Sequence, residues 1–281
     1  MLKKLKKIIN FANKPKENYA NLYLFKYHLL KAVKKIFWKQ KYAENNKNFQ
    51  GDMFNWPLYN LHYRGELKKD AKLYTLNLKP GDYQFIDNKL LKINTKIKPL
   101  HENWQLIYEA ILQLKPLSIL ELGCGNGMHL NNLQTLSPEF KLFGIDREAE
   151  QIKFLRESFP QLQADIRVAD ATKLFNNGYL EADLSFTQAV IMHIHTGTNH
   201  LTALTNVFNA SKKFVILMER WKNHHFMNDI KMLHQEKKIK WDNLYFYYRT
   251  SSVTKKPHII ICSNQLLDYT ILNDYNIMPK I

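Results

Sequence analysis

The segment Ser118–Leu130, with the sequence SILELGCGNGMHL, constrains the fold of this chain more than any other stretch. Its mainly apolar first part, Ser118–Leu122, predicts a short buried strand. Gly123, Gly125 and Gly127 follow, and a helical pattern begins after them. Glycine adopts backbone conformations that other residues avoid, and it leaves no Cβ between the backbone and a ligand. The segment therefore predicts a strand, a tight turn and a helix, either around a ligand or as a turn without one.

The glycine spacing differs from the dinucleotide-binding fingerprint G-x-G-x-x-G, which would require a glycine where this chain has Met128. Instead, Glu121 lies at the end of the predicted strand and gives the pattern E-x-G-x-G-x-G. A carboxylate here repels a pyrophosphate, but it suits a ligand that carries an ammonium group and a sulfonium and lacks phosphate. S-adenosylmethionine is such a ligand, and we expect it as the cofactor.

Strands and helices alternate after residue 100, which is the pattern of a parallel sheet with helices on both faces. An amphipathic helix is expected first, at Leu100–Leu114. The expected strands are Ile119–Leu122, Lys141–Ile145, Asp165–Val168, Asp183–Phe186, Phe214–Met218, Leu244–Tyr248 and His258–Cys262. The helices between them are expected near Met128–Gln134, Glu148–Ser158, Asn199–Ala210 and His225–Gln235. Only a loop separates the last two strands, so we expect the sheet to end in an antiparallel hairpin.

Acidic residues end the next two predicted strands. Asp146 follows Gly127 by nineteen residues, close to the spacing at which an acidic residue binds a ribose diol. Asp170 ends the third strand, where a carboxylate can accept a hydrogen bond from an adenine amine. Each aspartate alone could equally cap the following helix. Together with Glu121 they place three carboxylates at the carboxyl ends of successive strands, the edge at which open α/β sheets bind ligands.

These motifs resemble class I S-adenosylmethionine-dependent methyltransferases over about residues 100–265. The resemblance rests on ELGCGNG, FGID, VADAT, FTQAVIMHI after the fourth strand, and the closing hairpin. It implies an α/β fold with a seven-stranded, mostly parallel Rossmann-like sheet of order 3-2-1-4-5-7-6, in which strand seven is antiparallel. FTQAVIMHI and the later LMERW look most similar to bacterial methyltransferases found with surface-glycan (polysaccharide) biosynthesis.

The same resemblance implies roles for individual residues. Glu121 and the glycine loop would contact the methionine moiety, and Asp146 would bind the ribose. Asp170 and Ala171 would frame the adenine, and Gln188 would lie beside the cofactor. The full predicted cofactor-binding set is Glu121, Gly123, Cys124, Gly125, Asn126, Gly127, Asp146, Arg147, Asp170, Ala171, Gln188 and Ala189.

Methyl transfer to a hydroxyl requires positioning of the acceptor and removal of its proton. A histidine-rich region after the fourth and fifth strands supplies candidate bases. His193 is the first candidate, followed by Glu219 and His195, with His224 and His225 nearby. His193 and His195 could instead share one face and bind a metal, but their spacing matches no ligand motif, so we expect none.

The sequence disfavours two classes of nucleic-acid acceptor. The fourth strand is not followed by the Asn/Asp-Pro-Pro-aromatic run of adenine methyltransferases. Nor is it followed by the nucleophilic cysteine of cytosine-C5 enzymes, since Cys262 lies far along the chain. We therefore favour O-methylation of a sugar, glycan or other small molecule. RNA or protein methylation is the alternative, and a non-catalytic, cofactor-binding scaffold is a second one.

The net charge of +16 is concentrated at the N-terminus. Residues 1–48 contain 13 lysines and 2 glutamates, and so carry +11. Residues 1–13 form a basic amphipathic pattern that could lie on an anionic membrane, contact nucleic acid or pack on the protein body. Two cysteines and the lack of a long apolar run predict a cytoplasmic protein, with contact to the inner membrane face through the arm as one option. The sequence does not indicate an oligomeric state.

Three regions are expected from these patterns. Residues 1–48 form a basic helical arm, residues 49–99 a linker with a small hairpin or lid, and residues 100–281 the cofactor-binding domain. Within the second region, the turn Lys79–Asp82 is expected to join two short strands. An aromatic and basic cluster before it could form the lid: Trp56, Tyr59, Tyr63 and Arg64.

Overall fold

The computed structural model describes residues 76–176, 180–194, 197–220, 224–252, 257–268 and 276–277. The predicted helical arm, the aromatic cluster of the lid and His195 lie outside these described residues. The three-region division therefore stays a prediction.

A two-stranded antiparallel hairpin opens the described part of the chain. Its strands are β1 (Tyr83–Ile86) and β2 (Lys89–Lys92). The tight turn between them is Asp87 and Asn88, both with positive φ angles of 49° and 61°. The predicted position of the hairpin was therefore wrong, because Lys79–Asp82 forms a turn before both strands. Asp and Asn tolerate the left-handed conformation, and a two-residue turn of this kind matches the twist of paired strands.

The second sheet has eight strands in the order β10-β8-β9-β7-β6-β3-β4-β5. Its strands are β3 (Ser118–Leu122), β4 (Lys141–Asp146), β5 (Ala164–Val168), β6 (Ala182–Gln188), β7 (Ser211–Met218), β8 (Tyr245–Thr250), β9 (Pro257–Ser263) and β10 (Asn276–Ile277). Strands β3–β7 are parallel, and β9 is antiparallel to both β7 and β8. The predicted seven-strand order is confirmed, and the two-residue β10 extends the edge beyond β8.

Five helices pack against this sheet in the described residues. They are α1 (Glu102–Leu114), α2 (Met128–Leu136), α3 (Ala149–Ser158), α4 (Asn199–Asn209) and α5 (Phe226–Gln235). Neighbouring residues of β3 belong to different cores, because successive side chains of a strand point to opposite faces. Ile119 joins the core under α1, α2 and α3, whereas Leu120 joins the core under α4 and α5. The sheet is thus covered on both faces, as predicted.

Helix α1 has clear local reasons for its ends. His101 precedes it, and its Nδ1 accepts a hydrogen bond from the Asn103 N–H at 3.2 Å. Lys115 ends it in a left-handed conformation just before Pro116, which cannot continue a helix. Between these ends the helix buries a full apolar face, and burying each large side chain stabilises the fold by about 1.5–3 kcal/mol. None of the described helices has the length and apolar content needed to cross a bilayer.

Candidate functional site

The glycine loop after β3 is folded back onto the neighbouring strand. The backbone N–H groups of Gly123 and Cys124 both donate to the carbonyl of Ile145, at 2.8 and 2.9 Å. Gly123 also has a positive φ of 79°, and a Cβ there would lie 2.4 Å from Val190. The loop therefore needs glycine at this position for its conformation and for close contact with the segment after β6.

Gly127 allows helices α2 and α3 to pack closely. It precedes α2 with a φ of 73°, and a Cβ would lie 2.4 Å from the Leu155 side chain of α3. It is not among the residues that line the cavity described below. Its missing side chain makes room for Leu155, and the prediction that Gly127 contacts the cofactor stays a prediction. Gly125 differs from it, since a Cβ there would have no heavy atom within 4 Å.

Glu121 brings a buried carboxylate to the end of β3. The residue is 3% exposed, and its Oε2 has no hydrogen-bond partner among the described residues. Burial raises the pKa of this carboxyl well above its ordinary value, and the negative charge of Asp146 raises it further. A buried, unpaired acceptor of this kind is costly unless a donor or a cation binds it. The site therefore fits the ammonium group of a methionine moiety and disfavours a phosphate.

Asp146, at the end of β4, forms hydrogen bonds with the loops that follow β3 and β4. Its Oδ2 accepts from the Gly125 N–H and its Oδ1 from the Glu148 N–H, both at 2.9 Å. Burial raises the pKa of the Asp146 carboxyl, and these two hydrogen bonds partly oppose that shift. Each carboxylate oxygen has a second lone pair, so both can also accept from a ligand hydroxyl.

Asp170 follows β5 and holds the turn after that strand. Its Oδ1 accepts from the backbone N–H of Thr172 at 2.9 Å and from the Thr172 hydroxyl at 2.7 Å. Ala171 and Thr172 line the cavity beside it. Arg147 lines the same region and pairs with Glu148 at 3.4 Å. The three predicted strand-end carboxylates thus meet at one edge of the sheet.

A short 3₁₀ turn, Ile191–His193, follows β6 and brings His193 to the cavity. The Glu219 carboxylate positions this turn by accepting hydrogen bonds from its backbone. It accepts from the N–H groups of Val190, Ile191 and Met192 at 3.0–3.3 Å.

Glu219 also accepts from the Thr187 hydroxyl at 2.6 Å, and it is 6% exposed. It does not line the cavity. Its oxygens position the turn that carries His193, and the prediction of Glu219 as a base stays a prediction.

One cavity of about 370 Å³ unites these elements. Eleven of the twelve predicted cofactor residues line it, Gly127 being the exception, and His193 lines it as well. The described residues contain no cluster of three His, Cys, Asp or Glu side chains that could hold a metal. The same cavity also has a wall that the sequence patterns did not single out: His101, Asn103, Trp104, Met128, His129 and Ile194.

Most of this additional wall comes from the starts of α1 and α2, and Ile194 follows the 3₁₀ turn. His129 lies in the first turn of α2, and its ring is 4.7 Å from that of Trp104 and 5.9 Å from that of Phe186. When a helix follows a glycine loop, the residues of its first turn face the ligand. Met128 and His129 could therefore have been predicted from the sequence as cavity residues. The α1 residues could not, because only the tertiary packing brings that helix to the cavity.

The chain is similar to several known proteins. A protein of Invertebrate iridescent virus 6, named "Putative methyltransferase 235L", is 32% identical over 53 residues, and the match spans 19% of this chain and 19% of that protein. A TehB-like SAM-dependent methyltransferase from Corynebacterium glutamicum aligns over 74% of this chain and 97% of its own, with a TM-score of 0.49 and 13% identity. CalS10, an amino pentose methyltransferase from Micromonospora echinaspora, aligns over 60% and 92%, with a TM-score of 0.45 and 10% identity.

The sequence profile of the methyltransferase domain family matches residues 114–266, which is more than half of the 281-residue chain. The matched region runs from the end of α1 to just past β9. It contains the glycine loop, all three strand-end carboxylates and His193. The chain therefore belongs to the methyltransferase domain family, and its sheet has the Rossmann-like strand order described above.

Proposed function

We propose that this protein transfers the methyl group of S-adenosylmethionine to an oxygen of a small, uncharged acceptor, such as a sugar hydroxyl. The observation that supports the proposal most is the division of the cavity. Its carboxylates and its arginine all lie at or just after the ends of strands β3, β4 and β5. The wall from α1, α2 and the segment after β6 has no carboxylate, lysine or arginine among the described residues that line the cavity.

The carboxylate side fits the cofactor. Glu121 would bind the methionine ammonium group, because its buried Oε2 lacks a partner in the described part of the chain. Asp146 would bind the ribose hydroxyls, and Asp170 with Ala171 would frame the adenine. Gly125 would let the cofactor approach the backbone, since no side chain occupies the space beside it. Further contacts would come from Gly123, Cys124, Asn126, Arg147, Gln188 and Ala189.

When bound, S-adenosylmethionine supplies a methyl carbon that its sulfonium has already activated. The protein then has to position the acceptor and accept its proton. His193 is the residue we propose as the base, because it lines the uncharged side of the cavity and an imidazole titrates near neutral pH. Cys124 is not a candidate nucleophile, since burial raises the pKa of its thiol well above the ordinary value.

The uncharged wall also bears on the alternatives. A nucleic-acid acceptor carries phosphates, and proteins bind these with lysine and arginine. Such residues are abundant at positions 1–48 but absent from the described acceptor side of the cavity. RNA therefore stays the second candidate, supported by the basic arm alone. The scaffold alternative is less favoured, because the cavity has room for an acceptor beside the residues that we propose for the cofactor.

A labelling experiment tests the proposed acceptor. The full-length protein is incubated with methyl-labelled S-adenosylmethionine and a fractionated bacterial extract, and the label is followed into glycan, small-molecule, RNA and protein fractions. We expect label in the glycan or small-molecule fraction and its loss with Asp146→Ala. Label in RNA would support the alternative, and a protein that binds the cofactor but labels no fraction would support the scaffold.

The location of the protein is a separate part of the proposal. We place it in the cytoplasm, with residues 1–13 contacting the anionic inner face of the membrane, where lipid-linked glycans are built. Four lysines flank an apolar stripe in this segment, and each basic residue near such a surface contributes about 1 kcal/mol. Deleting residues 1–13 should abolish binding to anionic vesicles and spare cofactor binding. Unchanged vesicle binding would exclude this role of the arm.

A further inference from the structure

A line of buried polar groups runs from α2 through α1 to the wall of the cavity. Asn132 and Tyr108 are fully buried, and His129, at the cavity, is 9% exposed. The Asn132 amide is 3.1 Å from the Tyr108 hydroxyl, which is 2.9 Å from Nδ1 of His129. Polar groups so deeply buried must be paired, so the position of each proton can be derived from its neighbours.

Asn132 starts the line, and the backbone determines its orientation. Its Oδ1 accepts from the Leu78 N–H at 2.9 Å. Its Nδ2 donates to the Leu76 carbonyl at 2.9 Å and to the Tyr108 hydroxyl at 3.1 Å. The two backbone contacts exclude the flipped amide, because that orientation would oppose donor to donor and acceptor to acceptor. Tyr108 therefore receives a hydrogen bond from Asn132.

Among the described residues, the Tyr108 hydroxyl proton has one acceptor, which is Nδ1 of His129. Burial raises the pKa of the Tyr108 hydroxyl well above its ordinary value, so the hydroxyl keeps its proton. Because Nδ1 accepts a hydrogen bond from this hydroxyl, the neutral imidazole must carry its own proton on Nε2. Burial among Trp104 and Phe186 lowers the pKa of His129 to about 4, which keeps the ring neutral near pH 7.

The Nε2 proton of His129 points to the next residue in the line. The side chain of Gln188, at the end of β6, lies on the same strand face as Phe186, whose ring is 5.9 Å from that of His129. Gln188 and His129 line the same cavity, and Oε1 of Gln188 is buried with no hydrogen-bond partner among the described residues. It is the acceptor available to Nε2. The amide NH₂ of Gln188 is then left to donate into the cavity that this residue lines.

We propose that Asn132, Tyr108, His129 and Gln188 form an ordered chain of hydrogen bonds that presents an amide donor to the methyl acceptor and thereby selects an oxygen over a nitrogen. This inference rests on the proposed function. It makes Gln188 a specificity-determining residue and makes His129 and Tyr108 positioning residues, none of which acts as a base.

The selection follows from the number of lone pairs on the acceptor atom. A hydroxyl oxygen has two, so one can accept from Gln188 while the other attacks the methyl carbon. A neutral amine has one lone pair and cannot do both, and an ammonium group has none. In the transfer, the oxygen–carbon bond forms as the carbon–sulfur bond breaks. The electron pair of the broken bond stays on sulfur, and the hydroxyl proton passes to His193.

The tautomer of His129 tests the chain directly. In the full-length protein with ¹⁵N-labelled histidine, His129→Gln assigns the His129 signals. We expect a protonated Nε2 and a hydrogen-bonded, unprotonated Nδ1 between about pH 6 and 8, where free histidine titrates. Tyr108→Phe should remove the hydrogen-bond shift of Nδ1. Tyr83→Phe should not, because the partly buried Tyr83 hydroxyl accepts from the Leu100 N–H instead. A proton on Nδ1, a charged ring, or no response to Tyr108→Phe would overturn the proposal.

The preference for an oxygen acceptor is tested by identifying which atom carries the label in the products. We expect the label as O-methyl groups, with incorporation at least tenfold lower in Gln188→Met. Label recovered as N-methyl groups would overturn the selection for oxygen. Binding of S-adenosylhomocysteine is measured by calorimetry on the same samples. A wild-type protein that does not bind it would contradict the proposed function, while the tautomer of His129 would still decide whether the chain of hydrogen bonds exists.

Discussion

The Asp146 carboxylate accepts a 2.9 Å hydrogen bond from the backbone N–H of Gly125. This bond joins the end of β4 to the glycine loop after β3, so one side chain shapes the loop and also lines the cavity beside it. The proposed ribose contact and the conformation of the loop therefore depend on the same carboxylate.

Asp146→Asn should weaken cofactor binding while leaving the fold intact. Asparagine keeps one acceptor oxygen but replaces the other with a donor, which faces either the Gly125 or the Glu148 N–H. Hydrogen bonds to charged groups contribute about 1.5–3 kcal/mol, so we expect S-adenosylhomocysteine to bind roughly 10- to 100-fold more weakly. Calorimetry measures this loss. Asp165→Asn is the matched control, since Asp165 is exposed and pairs with Arg167. Parental affinity in Asp146→Asn would show that the ribose assignment is wrong.

Cofactor binding should release a proton from Glu121. Burial and Asp146 raise the pKa of this carboxyl well above its ordinary value in the free protein. A bound ammonium group would favour the charged form and lower that pKa, so binding would expel the proton. Affinity for S-adenosylmethionine should then rise with pH up to the raised pKa. Titrations in two buffers with different ionisation enthalpies count the released protons. Glu121→Gln should release none, and equal heats in both buffers would argue against the ammonium contact.

The same shift has a consequence for the stability of the free protein. Because the folded-state pKa of Glu121 lies above its unfolded value, folding favours the protonated form. The contribution of this residue to the free energy of unfolding is present at low pH. It falls as the pH rises from the ordinary carboxyl value towards the raised one. Saturating cofactor should remove that decline.

Alanine at Gly127 and at Gly125 should have different effects. At Gly127 the added Cβ meets Leu155 at 2.4 Å and the φ of 73° is unfavourable, so we expect a loss of about 2–4 kcal/mol in unfolding free energy. At Gly125 the Cβ has open space, so the cost is only the backbone strain of about 1–2 kcal/mol. The side chain then intrudes where we place the cofactor, and affinity should fall. Thermal unfolding and calorimetry on both variants separate the two effects, and a reversed pattern would contradict these roles.

His193 and Glu219 should respond in different measurements. His193→Ala should reduce turnover by 10²-fold or more, the range for loss of a general base. Cofactor affinity should change little. Glu219→Gln places an amide NH₂ near backbone donors and should lower the unfolding free energy by about 1–3 kcal/mol.

Turnover would fall in Glu219→Gln as well, because the 3₁₀ turn that carries His193 loses its anchor. The two variants are distinguished by thermal unfolding, which should be near parental only for His193→Ala. A stable, inactive Glu219→Gln would support Glu219 as the base instead of His193.

The strands and the strand-end carboxylates could be predicted because they depend on local patterns. Short apolar runs lead up to Glu121, Asp146 and Asp170. Because the connections between parallel strands are right-handed, the carboxyl ends of these strands meet at one edge of the sheet. The hairpin was misplaced because Lys79–Asp82 contains Pro and Gly, which signal a turn more strongly than Asp87–Asn88 does.

Other features depend on contacts between distant segments. The Thr187–Glu219 hydrogen bond joins residues on β6 and after β7, and it makes a candidate base into an anchor. The pairing of Tyr108 with His129 joins two helices that only the packed core brings together. No pattern within either helix indicates the partner on the other.

Calorimetric titration of the full-length protein with S-adenosylmethionine tests the central claim most directly. The claim predicts saturable binding of one cofactor per chain, a raised unfolding temperature with the ligand present, and loss of both in Asp146→Ala. Absence of heat and an unchanged unfolding temperature at high cofactor concentration would contradict it.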